Sequence, residues 1–315
     1  MCANFWWGQV NGERKIHCRR WSILTQAKKV GGMGFQDLKA FNLAMLAKQG
    51  WRLLQNQGSL MFKCLKARYF PRCNFLEAVD SSNSSFIWKS IMAAHPVLKM
   101  GCCWRVGDGT SIRVMLDSWI PNHPPKKIIF HPIKEEWEWR VSDLMDLKLR
   151  CWNRELIMTK FHRDDAEAIL QIPLSKRQVV DSVMWLHTTR GIYSVKSGYY
   201  VTTQILRGPD WAESSRGHSG TKNWAKLWKL KVPNKIKVFG WRACQNILPT
   251  QENLVHRRIM VNDTREFCKS ASETGVYALW EGGVAKDVWA GSSVRLQKHV
   301  GGQRDSMQLF KEVQD

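Results

Sequence analysis

The chain reads as an α+β protein that is predominantly helical, and three observations carry that reading. Leu38, Phe41, Met45, Leu46 and Leu53 recur at the 3.6-residue period of one helix face, with Lys39 and Lys48 outside the arc. Strand-like alternation is confined to Trp104-Arg105-Val106 and Ser111-Ile112-Arg113-Val114 on either side of Gly107-Asp108-Gly109-Thr110, a pattern that predicts a β-hairpin. Elsewhere Pro and Gly punctuate short segments, and no internal repeat is present. With 44% hydrophobic residues, a 315-residue chain can build two modest folded units, since one core commonly serves about 100–200 residues.

Taken in order, residues 1–96 are expected to be largely helical, with the Leu38–Leu53 helix packed into a core. Just before it, Gly31-Gly32-Met33-Gly34 lacks the GxGxxG spacing, has no following GK[ST], and no convincing strand precedes it. It reads as a turn leading into a helix rather than a phosphate loop. Residues 97–192 hold the hairpin and a helical linker. Asp108 and Asp117 invite a metal-pair reading, but hairpin turns select Asp and Gly for backbone reasons alone. His162-Arg163-Asp164-Asp165 carries adjacent aspartates, as polymerase metal sites do, yet AEAILQIPL follows and no Tyr stands two residues before Asp164. The acids are therefore placed at a helix start, where carboxylates satisfy free N–H groups.

The third region, residues 193–290, opens at Tyr193-Ser194-Val195-Lys196-Ser197-Gly198-Tyr199 and is interrupted by a polar Gly- and Ser-rich loop from Gly208 to Lys222. Beyond the loop, Trp224, Trp228 and Trp241 interleave with Lys226, Lys229, Lys231, Lys235, Lys237 and Arg242, and Arg257 and Arg258 follow. Such interleaving can stack bases while neutralising phosphates. The i,i+4 spacing of Trp224 and Trp228 also fits a core pair with the lysines on a solvated face, and both readings stand at this point.

Charge narrows the partner class. The 48 Lys+Arg against 27 Asp+Glu leave a formal net charge of +21, and such a surplus attracts polyanions by releasing their condensed counterions. RNA or DNA is the expected partner. No run reaches the ~18 apolar residues of a membrane span, so no membrane partner is expected. The nine cysteines are scattered without the spacing of a disulfide framework, which points to free thiols in a reducing compartment. The N-terminal MCANFWWGQVNGERK is not a secretory signal, so an intracellular, nuclear or cytoplasmic protein is expected.

The ordered set GGMGFQDLKAFNLAMLAKQGWRL, WRVGDGTSIRVMLDSWIP, AEAILQIPL, GIYSVKSGYY and LWKLKVPNKIKVFGWRACQNILPT resembles the C-terminal half of the reverse transcriptase polyprotein of plant LINE-type (non-LTR) retrotransposons, over about residues 3–290. The resemblance implies a helical connection region over 1–96 that follows a polymerase domain absent here, a β-hairpin with helical linker over 97–192, a reverse transcriptase zinc-binding-like domain over 193–290, and a truncated tail over 291–315. It also implies nuclear residence and an intact retroelement reverse transcriptase as a partner. No YxDD-like strand motif occurs, and the short stretch after Trp289 has no room for the four-carboxylate site of an RNase H. No catalytic residue and no independent enzyme activity are expected.

In that family a C-x-x-C pair, a His and a further Cys close a tetrahedral zinc site. Aligned from Asn262 to Trp289, those positions hold Arg265, Cys268, Tyr277 and Gly282, so one of the four ligands is kept. His256 and Cys244 lack ligand spacing to Cys268. The resemblance therefore implies a degenerate zinc-knuckle-like helical domain, no cofactor, and weak order after Thr250, because binding energy at such sites is folding energy. The expected function is a non-catalytic nucleic-acid-binding fragment. The alternatives are a decayed retroelement product with no selected function, or a protein-interaction scaffold using exposed tryptophans.

Overall fold

A computed structural model describes residues 2–8, 16–121, 123, 126–129, 137–146, 149–177, 179–208, 220–263, 272–291 and 306–312. In chain order the elements are helices α1 (Cys2–Trp6), α2 (Trp21–Leu24), α3 (Leu38–Gln55), α4 (Leu60–Tyr69), α5 (Phe86–Ala93) and α6 (His95–Gly101), then strand β1 (Cys102–Arg105). Strands β2 (Met145–Asp146) and β3 (Cys151–Trp152), helices α7 (Arg154–Lys160) and α8 (Arg163–Leu170), strand β4 (Ser182–Trp185) and helix α9 (Val195–Arg207) follow. The C-terminal part contributes α10 (Gly220–Lys229), α11 (Asn234–Cys244), α12 (Gln251–His256), α13 (Gly283–Ala290) and α14 (Ser306–Glu312). The protein is thus mostly helical, with small two-stranded antiparallel sheets.

Two compact units divide the chain, one formed by Leu38–Pro209 and the other by Met1–Asp37 together with Asp210–Asp315. These units cut across the regions expected from sequence order. The boundary placed at 192/193 falls inside the Leu38–Pro209 unit, because α9 packs against α3 and α6 there. The boundary placed at 96/97 falls within α6.

In the Leu38–Pro209 unit, α3 forms where expected, and the expected face is inward only in part, with Leu53 buried and Leu46 packed against the core. Ala40, Ala44, Ala47, Gly50, Trp51 and Leu53 are buried, whereas Leu38 and Met45 are exposed. Small residues let a neighbouring helix approach closely, so Ala40, Ala44, Ala47 and Gly50 share the buried stripe with Trp51 and Leu53. Trp88, Trp185 and Tyr193 fill the resulting core with Phe70, Phe75 and Leu98. Serine caps fix the helix starts: Ser59, Ser85 and Ser194 accept the N–H groups of Phe62, Trp88 and Ser197.

The expected hairpin between 104–106 and 111–114 is not formed. Instead β1 pairs antiparallel with β4, placing Cys102 opposite Trp185 and Arg105 opposite Ser182. Residues 112–114 bond across to 139–141, through Val114 N–H to Trp139 O and Val141 N–H to Ile112 O. The glycine turn is held by Asp181, whose carboxylate accepts the N–H groups of Gly107 (2.7 Å), Gly109 (3.0 Å) and Ser111 (2.8 Å). A distant carboxylate has taken the donors that a hairpin ladder would have used. The adjacent strands β2 and β3 do pair, Met145 with Trp152 and Asp146 with Cys151. A second core around Ile112, Trp119, Leu144, Ile157 and Ile169 lies beneath them.

Asp164 and Asp165 occupy the first turn of α8. The Asp165 carboxylate is buried, 2.7 Å from His123 Nε2, and accepts the Ile129 N–H, which is a structural role. Among the described residues no helix is long and apolar enough to cross a membrane.

Candidate nucleic-acid interface

The basic tryptophan stretch belongs to the unit built from both chain ends, and its helices begin and end where the sequence dictates. α10 ends at Lys229, and Pro233 stands at the N-cap of α11, where a residue without an N–H costs nothing. The two helices enclose a small core of Leu24, Met33, Leu227, Trp241 and Ile247, with Trp224 and Trp228 packed against it.

Trp241 is fully buried, which corrects its assignment to a base-stacking surface. Its indole Nε1 donates to the Gly31 carbonyl at 2.8 Å, and Gln245 Nε2 donates to the same oxygen at 2.9 Å. Gly31 presents that carbonyl from φ +92°, a left-handed conformation that a side chain would strain. The Gly31–Gly34 segment is therefore a turn, and its function is to receive the tryptophan helices. Trp224 lies against Gly31, and the Lys28 ammonium sits 4.7 Å above the Trp228 ring. All three tryptophans are occupied by the fold.

The cations divide into two groups. Lys237 donates to the Trp228 carbonyl at 3.2 Å, Arg242 lies 5.8 Å over the Trp7 ring, and Arg257 donates to the carbonyls of His17 and Cys18. These three hold the unit together. Lys226, Lys229, Lys231, Lys235 and Arg258 are exposed. No acidic residue stands between Glu213 and Glu252, the stretch that holds the four lysines.

Sequence reasoning missed two side chains on the outer face of α11, Ile236 and Phe239, which are 48% and 49% exposed. The signal was available in the helical period: with Trp241 inward, Phe239 must point well away from it.

At the family's zinc positions, Arg265 and Cys268 lie outside the described residues. Tyr277 opens the π-helical turn Tyr277–Glu281, its N–H bonded to Thr274 Oγ1 at 2.9 Å. Gly282 donates its N–H to the Tyr277 carbonyl at 2.7 Å and caps α13. Neither the Tyr277 phenol nor the Gly282 backbone is an imidazole or a thiolate, the donors that a structural four-coordinate zinc takes. His256 is exposed at the end of α12, and Cys244 Sγ approaches the Ser306 carbonyl at 3.9 Å.

Fold and surface define a predominantly helical, strongly basic protein whose second unit is closed by tryptophan and arginine contacts between the chain ends. Residues 193–289 match the family described as zinc-binding in reverse transcriptase, and the chain belongs to that family. An Arabidopsis thaliana protein named "Putative ribonuclease H protein" is 26% identical over 305 residues, covering 92% of this chain and 46% of that relative. An uncharacterized mitochondrial protein of Arabidopsis thaliana is 37% identical over 124 residues, covering 39% of this chain and 80% of its own length. The chain thus spans about half the length of the first of these relatives. No solved structure matches it.

Proposed function

We propose that the protein is a non-catalytic nucleic-acid-binding module of a plant LINE-type retroelement reverse transcriptase, its zinc site lost through Arg265, Tyr277 and Gly282. The observation that carries this reading is the exposed set Lys229, Lys231 and Lys235, in a stretch free of acidic residues, with Lys226 and Arg258 also exposed. Exposed cations bind phosphates by counterion release, and this requires no metal and no catalytic group. The partner is RNA or DNA held near an intact reverse transcriptase, which accords with a nuclear location.

The test is binding of unstructured RNA by the full chain across a salt series. Lys229, Lys231 and Lys235 exchanged for Glu should lower the affinity and flatten the salt dependence by about 2 in log–log slope, since each phosphate contact on a single strand contributes roughly 0.7. The same exchange at Lys63, Lys176 and Lys196, exposed lysines of the other unit, should do much less. Equal losses from both sets would overturn the reading.

Tyr277 and Gly282 favour a second reading, a decayed retroelement product with no selected role whose charge is inherited. That reading predicts association that vanishes with salt and leaves no residual term.

A further inference from the structure

We propose that Phe239 is the base-stacking residue of this face, and that the ligand is therefore single-stranded nucleic acid rather than duplex. The inference rests on the nucleic-acid reading above and specifies the form of its ligand.

Helix α11 has two unlike faces. Trp241 is buried and Val238 packs on the same core, whereas Lys235, Ile236 and Phe239 face outward. Lys235, Phe239 and Arg242 stand at i, i+4 and i+7, one stripe of the helix surface, spanning about 10 Å along its axis at 1.5 Å per residue. Lys235 is exposed one turn before the ring, while Arg242 lies over the Trp7 ring within the fold. Ile236 broadens the apolar spot beside the ring.

The three tryptophans that composition suggested for stacking are each held by the fold: Trp241 by Gly31, Trp224 against the same glycine, Trp228 beneath Lys28. Phe239 differs. Among the described residues its ring makes no aromatic or cation contact, and half of its surface meets solvent. A lone apolar ring exposed one turn from Lys235, in a stretch with no carboxylate between Glu213 and Glu252, suits a ligand that is at once anionic and flat-faced. Nucleic acid combines the two properties. In a duplex the base faces are covered by their neighbours, so a surface ring gains contact only from a strand whose bases are free to turn outward.

The experiment compares the full chain with Phe239→Ala, Phe239→Leu and Phe239→Trp, on an unstructured oligouridylate and on a blunt RNA duplex of equal length. Phe239→Ala and Phe239→Leu should each lose about tenfold in affinity for the single strand, by a constant factor at every salt concentration, because stacking releases no counterions. Phe239→Trp should restore it, and duplex binding should be unchanged in all three. Unaltered melting temperatures exclude a folding defect, and the exposed position makes them the expected result.

Single-strand affinity unaffected by Phe239→Ala, with Lys-dependent RNA binding intact, would overturn the stacking assignment and leave the nucleic-acid reading in place. Equal losses on strand and duplex would also overturn it. Failure of the unsubstituted chain to bind either nucleic acid would remove the underlying reading and this inference with it.

Discussion

The hydroxyl of Tyr193 donates a 2.8 Å hydrogen bond to the carbonyl of Ala44, tying the segment that leads into α9 to the middle of α3 across the core of the Leu38–Pro209 unit. The ring stacks on Trp51 at 6.2 Å and meets Trp185 edge-on at 4.6 Å, while the Lys48 ammonium donates to the Tyr193 carbonyl at 3.2 Å. Burial holds the phenol above its ordinary pKa, which favours the protonated, donating form.

Removing the hydroxyl with Tyr193→Phe should cost about 1 kcal/mol, the net worth of one buried hydrogen bond. Gly198→Ala should cost more, because an added Cβ would stand 1.7 Å from the Tyr193 hydroxyl oxygen and displace the ring. Denaturant titration of both variants checks the order; a Gly198→Ala variant as stable as the parent would contradict this packing.

Asp181 organises the glycine turn through three backbone N–H groups. Asp181→Ala leaves all three without their acceptor and should destabilise by roughly 3 kcal/mol, near the upper end of single-residue effects. Asp181→Asn, which keeps an acceptor oxygen, should lose less. Urea midpoints measured on both variants decide the point.

His95 is buried, with Nε2 2.9 Å from the Phe75 carbonyl, and burial together with the Lys99 charge depresses its pKa below the ordinary 6.5. The folded state therefore binds the proton less readily than the unfolded chain. The histidine's contribution is complete above pH 6.5 and declines as the pH falls from there through the lower folded-state pKa. Melting temperatures recorded across that interval should drop less steeply for His95→Gln than for the parent.

Elemental analysis should find no stoichiometric zinc in the purified chain. Arg265→Cys, Tyr277→His and Gly282→Cys combined should restore about one equivalent, since with Cys268 they rebuild the family's ligand set. Zinc bound by the unsubstituted chain would require ligands drawn from elsewhere.

The sequence made the helical character visible, and the charge with it, but not which way side chains point. α3 was legible from its period, while its inward face was legible only in part. Periodicity was weighted toward Phe41, Met45 and Leu46, and the close approach of α9 selects alanines. The hairpin was misread because the groups that bind the Gly107–Ser111 turn belong to Asp181, far along the chain, and no local pattern announces them. In the candidate interface the lysines were singled out from composition, and Lys226, Lys229, Lys231 and Lys235 are exposed. The burial of Trp241 depends on Gly31, a residue on the opposite side of an entire folded unit in sequence.

That separation sets an order of events at the ribosome. Residues 1–37 emerge before residues 38–209, yet the indole of Trp241 that donates to the Gly31 carbonyl is synthesised only after those have been made. The intervening unit can fold as it leaves the tunnel, while Leu24 and Met33 wait for their neighbours. A premature stop anywhere before Trp241 would leave the amino-terminal segment permanently without its partner, exposing apolar surface to chaperones and proteases.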